Sequence, residues 1–598
     1  MGDASYDAIV VGGGHHGLII ACYLQRAGMK TGVFELHSTL GGSVTSTVGP
    51  MPGFTFNVSA NWTRFYGHPA YKDFNLREKG LEYIFPDESE AMVFDNDTCL
   101  VEYSAMKVVD PITGKTELSH ENLQKSLNEI QRFSKRDADT AEELFRRYTK
   151  KWKSAMAEYR FSPPVPWGEK NALEKLCDDP KDGIDPVYQF MTSQQLAYDL
   201  FDSEELRTLF IRASMTSFGG APDDVIGLHG LIHSIGLVLS WEPAAIVKGG
   251  SQRISNALKD AFTEMGGELF TRSEVVKLLI ENGKARGIRL RDGTEIKAKS
   301  LVVSNLSALQ SIRLIGEENL DPRIVRRVKN IRHDRHNVVW GVIAMHELPQ
   351  YKAASFNPDC GKQPRMYIGP RNADYVANQY PAEIINNGIA NRAFMFVGPD
   401  SIWDRSRAPE GKHIIGFEEF SAPARFFTPS RWQALRNEFE DFVIREWQRY
   451  APNMTRDNVI ASHIVTPYDI QLSHPNMEEG SIAGGDMIIS QMDRFRPTPE
   501  LSNYRTPINN FYLCSFATHN GVGTGRGCSY NSYQVIPKHI GQHTSTGGGD
   551  KRLSKEERDM TRWLEIERDV CHGPDYIKPD PFRKEGRGPL WKKKRRKA

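Results

Sequence analysis

An α/β fold is predicted for these 598 residues, with one domain of alternating strands and helices assembled from discontinuous segments and a mixed α+β domain between them. Two observations predict it: residues 6–35 read as strand, glycine turn, helix and strand, and residues 510–540 read as a second strand, glycine turn and helix far along the chain. In the first unit Ala8-Ile9-Val10-Val11 is the strand, Gly12-x-Gly14-x-x-Gly17 the turn, and the helix runs from Leu18 to Ala27 and stops at Gly28. Thr31-Gly32-Val33-Phe34 then leads into Glu35. Gly12 permits the tight turn, Gly14 lets backbone amides approach a pyrophosphate at the helix N-terminus, and Gly17 allows close helix-on-strand packing. Glu35, 18 residues after Gly17, is placed to accept hydrogen bonds from a ribose diol. With strand, helix and acid all in register, the unit reads as a Rossmann-type dinucleotide site rather than a glycine-rich structural turn.

The run Gly12-Gly13-Gly14-His15-His16-Gly17-Leu18 also resembles the opening of the phytoene-desaturase-like flavoproteins, with His16 where that pattern has Asn. The likeness continues through Leu40-Gly41-Gly42-Ser43 and Pro52-Gly53-Phe54-Thr55-Phe56-Asn57. Ser43 stands where many flavin amine oxidases carry Arg, which argues against amine oxidation. The resemblance implies FAD as cofactor, held by Gly12, Gly13, Gly14, His15, Gly17, Glu35, Gly41, Gly42 and Ser43.

Further along, Lys248-Gly249-Gly250-Ser251-Gln252-Arg253 introduces a helix from Ile254 to Met265. Strands are predicted at Glu274–Ile280, Ala285–Leu290 after the turn Asn282-Gly283, and Glu295–Ala298 after Asp292-Gly293. Leu301-Val302-Val303-Ser304-Asn305 completes this meander and returns to the sheet. It resembles the family's adenine-side and VVSN strands, which implies roles in FAD binding for Val275, through its backbone, and for Asn305. Residues 71–240 read as mostly helical, with a charged helical pattern from Ser119 to Arg160 and a proline-rich boundary at Ser162-Pro163-Pro164-Val165-Pro166.

From residue 480 the likeness returns in Gly484-Gly485-Asp486, Gln491, Arg496-Pro497 and Tyr504-Arg505-Thr506-Pro507-Ile508. The last glycine unit, Gly521-x-Gly523-x-Gly525-x-Gly527, is not a dinucleotide fingerprint. Its glycines let backbone sit against a planar ring, and a helix from Ser529 to about Ile540 points its positive end there. The family pattern here is THPGGG, so Asn520 replaces Pro and Val522 replaces Gly. Residues 1–70, 241–320 and 471–543 are thus assigned to the FAD-binding domain, 71–240 and 321–470 to the substrate domain, and 544–598 to a linker and basic C-terminal tail.

Charge is balanced overall, at +1 from 76 basic and 75 acidic residues. Residues 551–598, however, hold 16 Lys and Arg against 9 Asp and Glu, a net +7, and the rest carries −6. Trp591 beside Lys592 to Lys597 suits an anionic membrane surface, with a solvated end as the alternative; nothing beyond charge suggests nucleic acid. Seven cysteines without a CxxC pair argue for reduced thiols and against a disulfide reductase. A covalent flavin link through Cys514 or Cys528 is the less favoured reading, buried thiol the more. No secretory signal or membrane-spanning run is apparent, so a cytoplasmic enzyme, peripheral at the inner face of a membrane, is expected.

His229 and His233, four apart on one helix face, read as pocket or core residues rather than metal ligands. His519 is a candidate for proton transfer or for fixing the glycine loop; Asp486 is a candidate base or a turn cap. The resemblance implies an FAD-dependent oxidoreductase that removes hydride from an allylic carbon of an apolar isoprenoid or alicyclic substrate, desaturating or hydroxylating it, with the electron acceptor unknown. A flavin-dependent isomerase and a flavin-containing interaction protein are the alternatives.

Overall fold

The computed structural model describes residues 5–60, 63–112, 114–218, 221–335 and 337–537. The expected linker and basic tail, Trp591 included, lie outside the described residues. Ser5–Val11 pairs in parallel with Thr31–Phe34 on one side and with Glu295–Ser304 on the other. Glu268–Phe270 extends the sheet beyond Thr31–Phe34, and Phe511–Leu513 extends it beyond Val302–Ser304, both in parallel. The run Ala8–Val10 is fully buried, as the continuous apolar reading of a parallel strand covered on both faces requires. One face carries helix His15–Arg26, which packs against Gln252–Glu264 and Cys528–Val535. Segments separated by hundreds of residues therefore build one layer.

Two strands expected as Glu295–Ala298 and Leu301–Asn305 form one continuous strand, Glu295–Ser304. Its first residues pair antiparallel with Lys284–Leu290, which pairs in turn with Val275–Glu281. Its last residues pair in parallel with Phe511–Leu513. The strand changes partners on one edge without breaking because residues 295–297 pair with the meander and residues 302–304 with Phe511–Leu513, while its other edge stays paired with Ser5–Val11.

A second seven-stranded sheet runs in the order Val459–Val465, Val338–Met345, His413–Phe420, Met395–Gly398, Arg365–Gly369, Glu88–Phe94, Cys99–Tyr103. Neighbours are antiparallel except Arg365–Gly369 against Glu88–Phe94. The mostly helical reading of residues 71–240 holds from His120 onward and fails before it, since two strands of this sheet and the hairpin Met106–Asp110/Lys115–Leu118 fall there. Glu88–Phe94 is buried from Ser89 onward, so it shows no alternation, and Glu90, Ala91 and Met92 are good helix formers. Tertiary pairing overrides them: Glu90 lies opposite Arg365 in the parallel register and forms an ion pair with it. The charged pattern from Ser119 to Arg160 is helical but interrupted. Ser119 caps His120–Gln131, Ser134 caps Lys135–Arg147, and a third segment, Lys153–Arg160, follows. Among the described residues no helix is long and apolar enough to cross a membrane.

Candidate flavin and substrate site

The first glycine turn closes on itself through backbone contacts. Gly12 lies at φ +96°, and a Cβ on Gly17 would stand 2.1 Å from the Gly12 carbonyl oxygen. Helix His15–Arg26 begins three residues before the predicted start, with Gly14 as its cap, so its unpaired amides face the turn. The Gly41 amide donates to the Gly13 carbonyl at 2.9 Å, which ties the second glycine pair to the first. Gly12, Gly14, His15, Glu35, Gly41, Gly42, Ser43, Val275 and Asn305 line one cleft. Gly13 and Gly17 build the turn behind it.

Glu35 does more than wait for a ribose. Its carboxylate accepts the Gly13 amide at 2.6 Å and the His37 amide at 2.8 Å, which pins the turn to the second strand. A carboxylate offers about four lone-pair sites, so acceptor capacity is left over for a diol. Glu35→Ala should therefore weaken FAD binding by more than Glu35→Gln, whose amide oxygen can keep one of the two backbone bonds. Flavin dissociation constants for the two variants check this, and equal values would remove Glu35 from the turn.

A second cavity adjoins the first: His15, Ser43, Met477 and Phe516 line both. Its walls include Val44, Ala60, Ala244, Ala245, Phe396 and Ile482, together with Gly523, Thr524 and Gly525 of the last glycine loop. Gly523 is at φ +102°, and a Cβ on Gly525 would come within 2.9 Å of the Arg64 carbonyl oxygen. Gly521 faces the backbone instead, its Cβ position 2.4 Å from the Phe516 carbonyl oxygen, and its own carbonyl accepts from His16 Nε2 at 2.9 Å. Asn520 lies at φ +51°, a region closed to proline, whose ring fixes φ near −65°. The Asn-for-Pro departure thus follows from the loop's conformation. Asn520 also donates to the Tyr159 carbonyl at 2.7 Å.

His519 is buried behind this loop and is not among the residues lining either cavity. Its Nε2 meets the Asn520 amide at 2.7 Å, its Nδ1 lies 3.6 Å from Asp493, and burial pushes its pKa down to about 3. That surrounding suits the loop-fixing alternative. Asp486 is fully buried and likewise turned away from both cavities. It accepts from Arg332 Nε at 2.5 Å and from the amides of Arg335 and Asp334 at 3.0 and 3.2 Å. Burial raises its pKa to about 6 against the pull of Arg332. It ties the segment after Gly484-Gly485 to residues 332–335. His229 accepts from Arg526 Nη1 at 3.3 Å, and His233 lines the second cavity. Cys514 and Cys528 are fully buried, and burial raises both thiols, which makes them packing groups rather than nucleophiles.

His15, His16 and His68 form a neutral cluster under the turn. Burial first, and mutual repulsion second for His15 and His68, hold all three low, His16 at about 4 and His68 at about 3. A histidine near 6.5 when unfolded and near 4 when folded contributes stability above pH 6.5 that is lost as pH falls through that window. His16→Asn should therefore lose about 2 kcal/mol less than the parent chain between pH 6.5 and 5. Urea midpoints at both pH values measure it, and parallel pH profiles would refute the assignment.

Sequence reasoning missed the charged part of the second cavity. Arg64, Arg160, Arg365 and Arg526 line it, with Glu242 and Glu418. They come from segments far apart in the chain, so no local spacing could have gathered them.

A model of the flavin containing amine oxidoreductase family covers residues 17–336, over half of the chain. The chain belongs to that family. Membership makes it an FAD-dependent oxidoreductase, and the residues fit the cofactor: a side-chain-free Gly14 at a helix N-terminus, an acid at the end of the second strand, and a cleft that adjoins a second cavity. Among curated proteins, this family member is 26% identical to pyridine nucleotide-disulfide oxidoreductase domain-containing protein 2 of Mus musculus over 563 residues, 89% of this chain and 93% of the relative. It is 24% identical to a limonene dehydrogenase chain of Castellaniella defragrans over 576 residues, 93% and 98% of the two chains. An oxidoreductase structure from Methanosarcina mazei shares the fold, with a TM-score of 0.53 at 18% identity over 88% of this chain and 98% of that one.

Proposed function

We propose that the chain dehydrogenates an unsaturated, largely apolar substrate at an allylic C–H. The observation that carries this reading is the meeting of the two cavities at His15, Ser43, Met477 and Phe516, which brings a dinucleotide cleft against a walled pocket with many apolar residues. FAD, when bound, supplies the hydride acceptor. The chain's own residues orient the substrate: Phe396, Met477, Ile482 and Phe516 give the pocket apolar walls, and Val522 to Gly525 border it beside the Arg64 backbone. His519 and Asp486 act in this reading as positioning residues, each holding a loop that borders the site. The limonene dehydrogenase chain, matched nearly end to end, supports a terpene-like skeleton.

An amine substrate fits less well. It would enter as a cation, and the second cavity has more guanidinium groups than carboxylates. The decisive experiment is anaerobic mixing of the purified holoenzyme with a panel of neutral and anionic terpenes, limonene and geranate included, while flavin absorbance is followed. Bleaching supports dehydrogenation. Isomerisation that appears only after chemical reduction of the flavin would favour the isomerase alternative, and no response in either redox state would end both readings.

Peripheral docking through the basic tail is a separate part of the proposal and rests on sequence alone. Deleting residues 588–598 should lower co-sedimentation with anionic vesicles at low salt and leave FAD content unchanged, as screening of clustered charge predicts. Equal co-sedimentation of the truncated and full chains would refute it.

A further inference from the structure

Three of the cavity's arginines surround a single carboxylate. Glu242 lies 3.6 Å from Arg64 and 3.9 Å from Arg160. Burial alone would raise its pKa, yet Arg160, Arg64 and Arg526 together hold it below the usual carboxylate range. One carboxylate leaves two positive charges unanswered. The other charged pair of the cavity does not supply them, because Arg365 is engaged by Glu90 and Glu418 is itself pushed up to about 7 by burial.

The arginines are also held in place. Arg64 donates to the Pro243 and Glu242 carbonyls at 3.3 and 3.4 Å, and Arg526 donates to the Val522 carbonyl at 3.1 Å and to His229 at 3.3 Å. Arg160 Nε is buried without a hydrogen-bond partner, which is costly for a charged donor. Crowding by burial and by its neighbour Arg160 lowers Arg526 to about 9. None of the three lines the dinucleotide cleft, so a pyrophosphate seated at Gly14 would not answer their charge.

We propose that Arg64, Arg160 and Arg526 bind an anionic group of the substrate, a carboxylate or phosphate carried on the unsaturated apolar skeleton. This rests on the dehydrogenase reading and narrows it. The substrate is amphipathic: its anion sits among the guanidiniums, and its hydrocarbon part lies against Phe396, Met477 and Phe516. An anion fixed at one end sets which carbon faces the flavin, whereas a wholly apolar skeleton could slide along its pocket.

Titration calorimetry and flavin-absorbance titration of the oxidised holoenzyme with geraniol, geranate and geranyl monophosphate test the proposal, since the three share one carbon skeleton. At least one anion should bind about tenfold or more tightly than the alcohol, as a charge-assisted contact implies, and which anion wins tells carboxylate from phosphate. Arg160→Gln and Arg526→Gln should each erase most of that preference with FAD content unchanged, and Arg160→Lys should restore part of it. Equal affinities for all three probes, no binding by any of them, or a preference that survives both Gln variants would overturn the site. Gln variants that shift the flavin's reduction potential and leave the anion preference intact would assign the arginines to the reduced flavin instead, and overturn it too. A chain that purifies without flavin would sink the dehydrogenase reading, while calorimetry would still show whether the guanidiniums bind the anion.

Discussion

Gly14→Val protein should purify folded and colourless. Gly14 sits at φ −62° and ψ 163°, a backbone conformation open to any residue, so valine brings no backbone strain. Its Cβ would meet only the Asn305 side-chain amide, at 2.9 Å, and that group can swing aside. The side chain would, however, project where backbone must approach the pyrophosphate. Flavin absorbance should vanish while the melting transition stays within about 1 kcal/mol of the parent stripped of flavin, as for a substitution away from the core. Gly17→Ala is the contrast. There the new Cβ would stand 2.1 Å from a backbone oxygen, and helix and strand must separate to admit it. Loss of about 1–3 kcal/mol is expected, the usual cost of overpacking. A Gly14→Val protein that keeps its flavin would remove the dinucleotide from this turn.

Asp486→Asn should lower stability by about 3 kcal/mol, the low end for breaking a buried ion pair, because Arg332 is itself partly exposed. The asparagine keeps the shape but cannot match the charge of Arg332 while also accepting from the Arg335 and Asp334 amides. Thermal unfolding and flavin retention should both suffer. Unchanged melting with activity lost would instead make Asp486 a catalytic base, the other role open to an acid after two glycines.

The opening unit was legible because its signals are local. Strand, turn, helix and acid fall within residues 6–35, and each glycine has a backbone reason that needs no distant partner. The meander was legible for the same cause, through Asn282-Gly283 and Asp292-Gly293. Glu88–Phe94 was not, since burial on both faces erases alternation and only Arg365, far along the chain, explains Glu90. His519 and Asp486 show a different limit. Their types and neighbours fit catalysis and scaffolding equally, and what separates the two is which way each side chain faces. The arginine cluster lay beyond reach altogether, because residues 64, 160 and 526 are joined only by the fold.

The strand Glu295–Ser304 carries a consequence for the order in which the protein can assemble. Its early residues find their partners within a few positions along the chain, but Val302–Ser304 must wait for Phe511–Leu513. On the ribosome the meander can form as soon as it emerges, while the edge beside Val303 stays open until more than two hundred further residues have been made. Non-local pairing of this kind is slow and leaves apolar edges unprotected in the interval. Nascent chains stalled before residue 511 should therefore recruit chaperones and bind no flavin, and competence for the cofactor should arrive as a late, all-or-none event of synthesis.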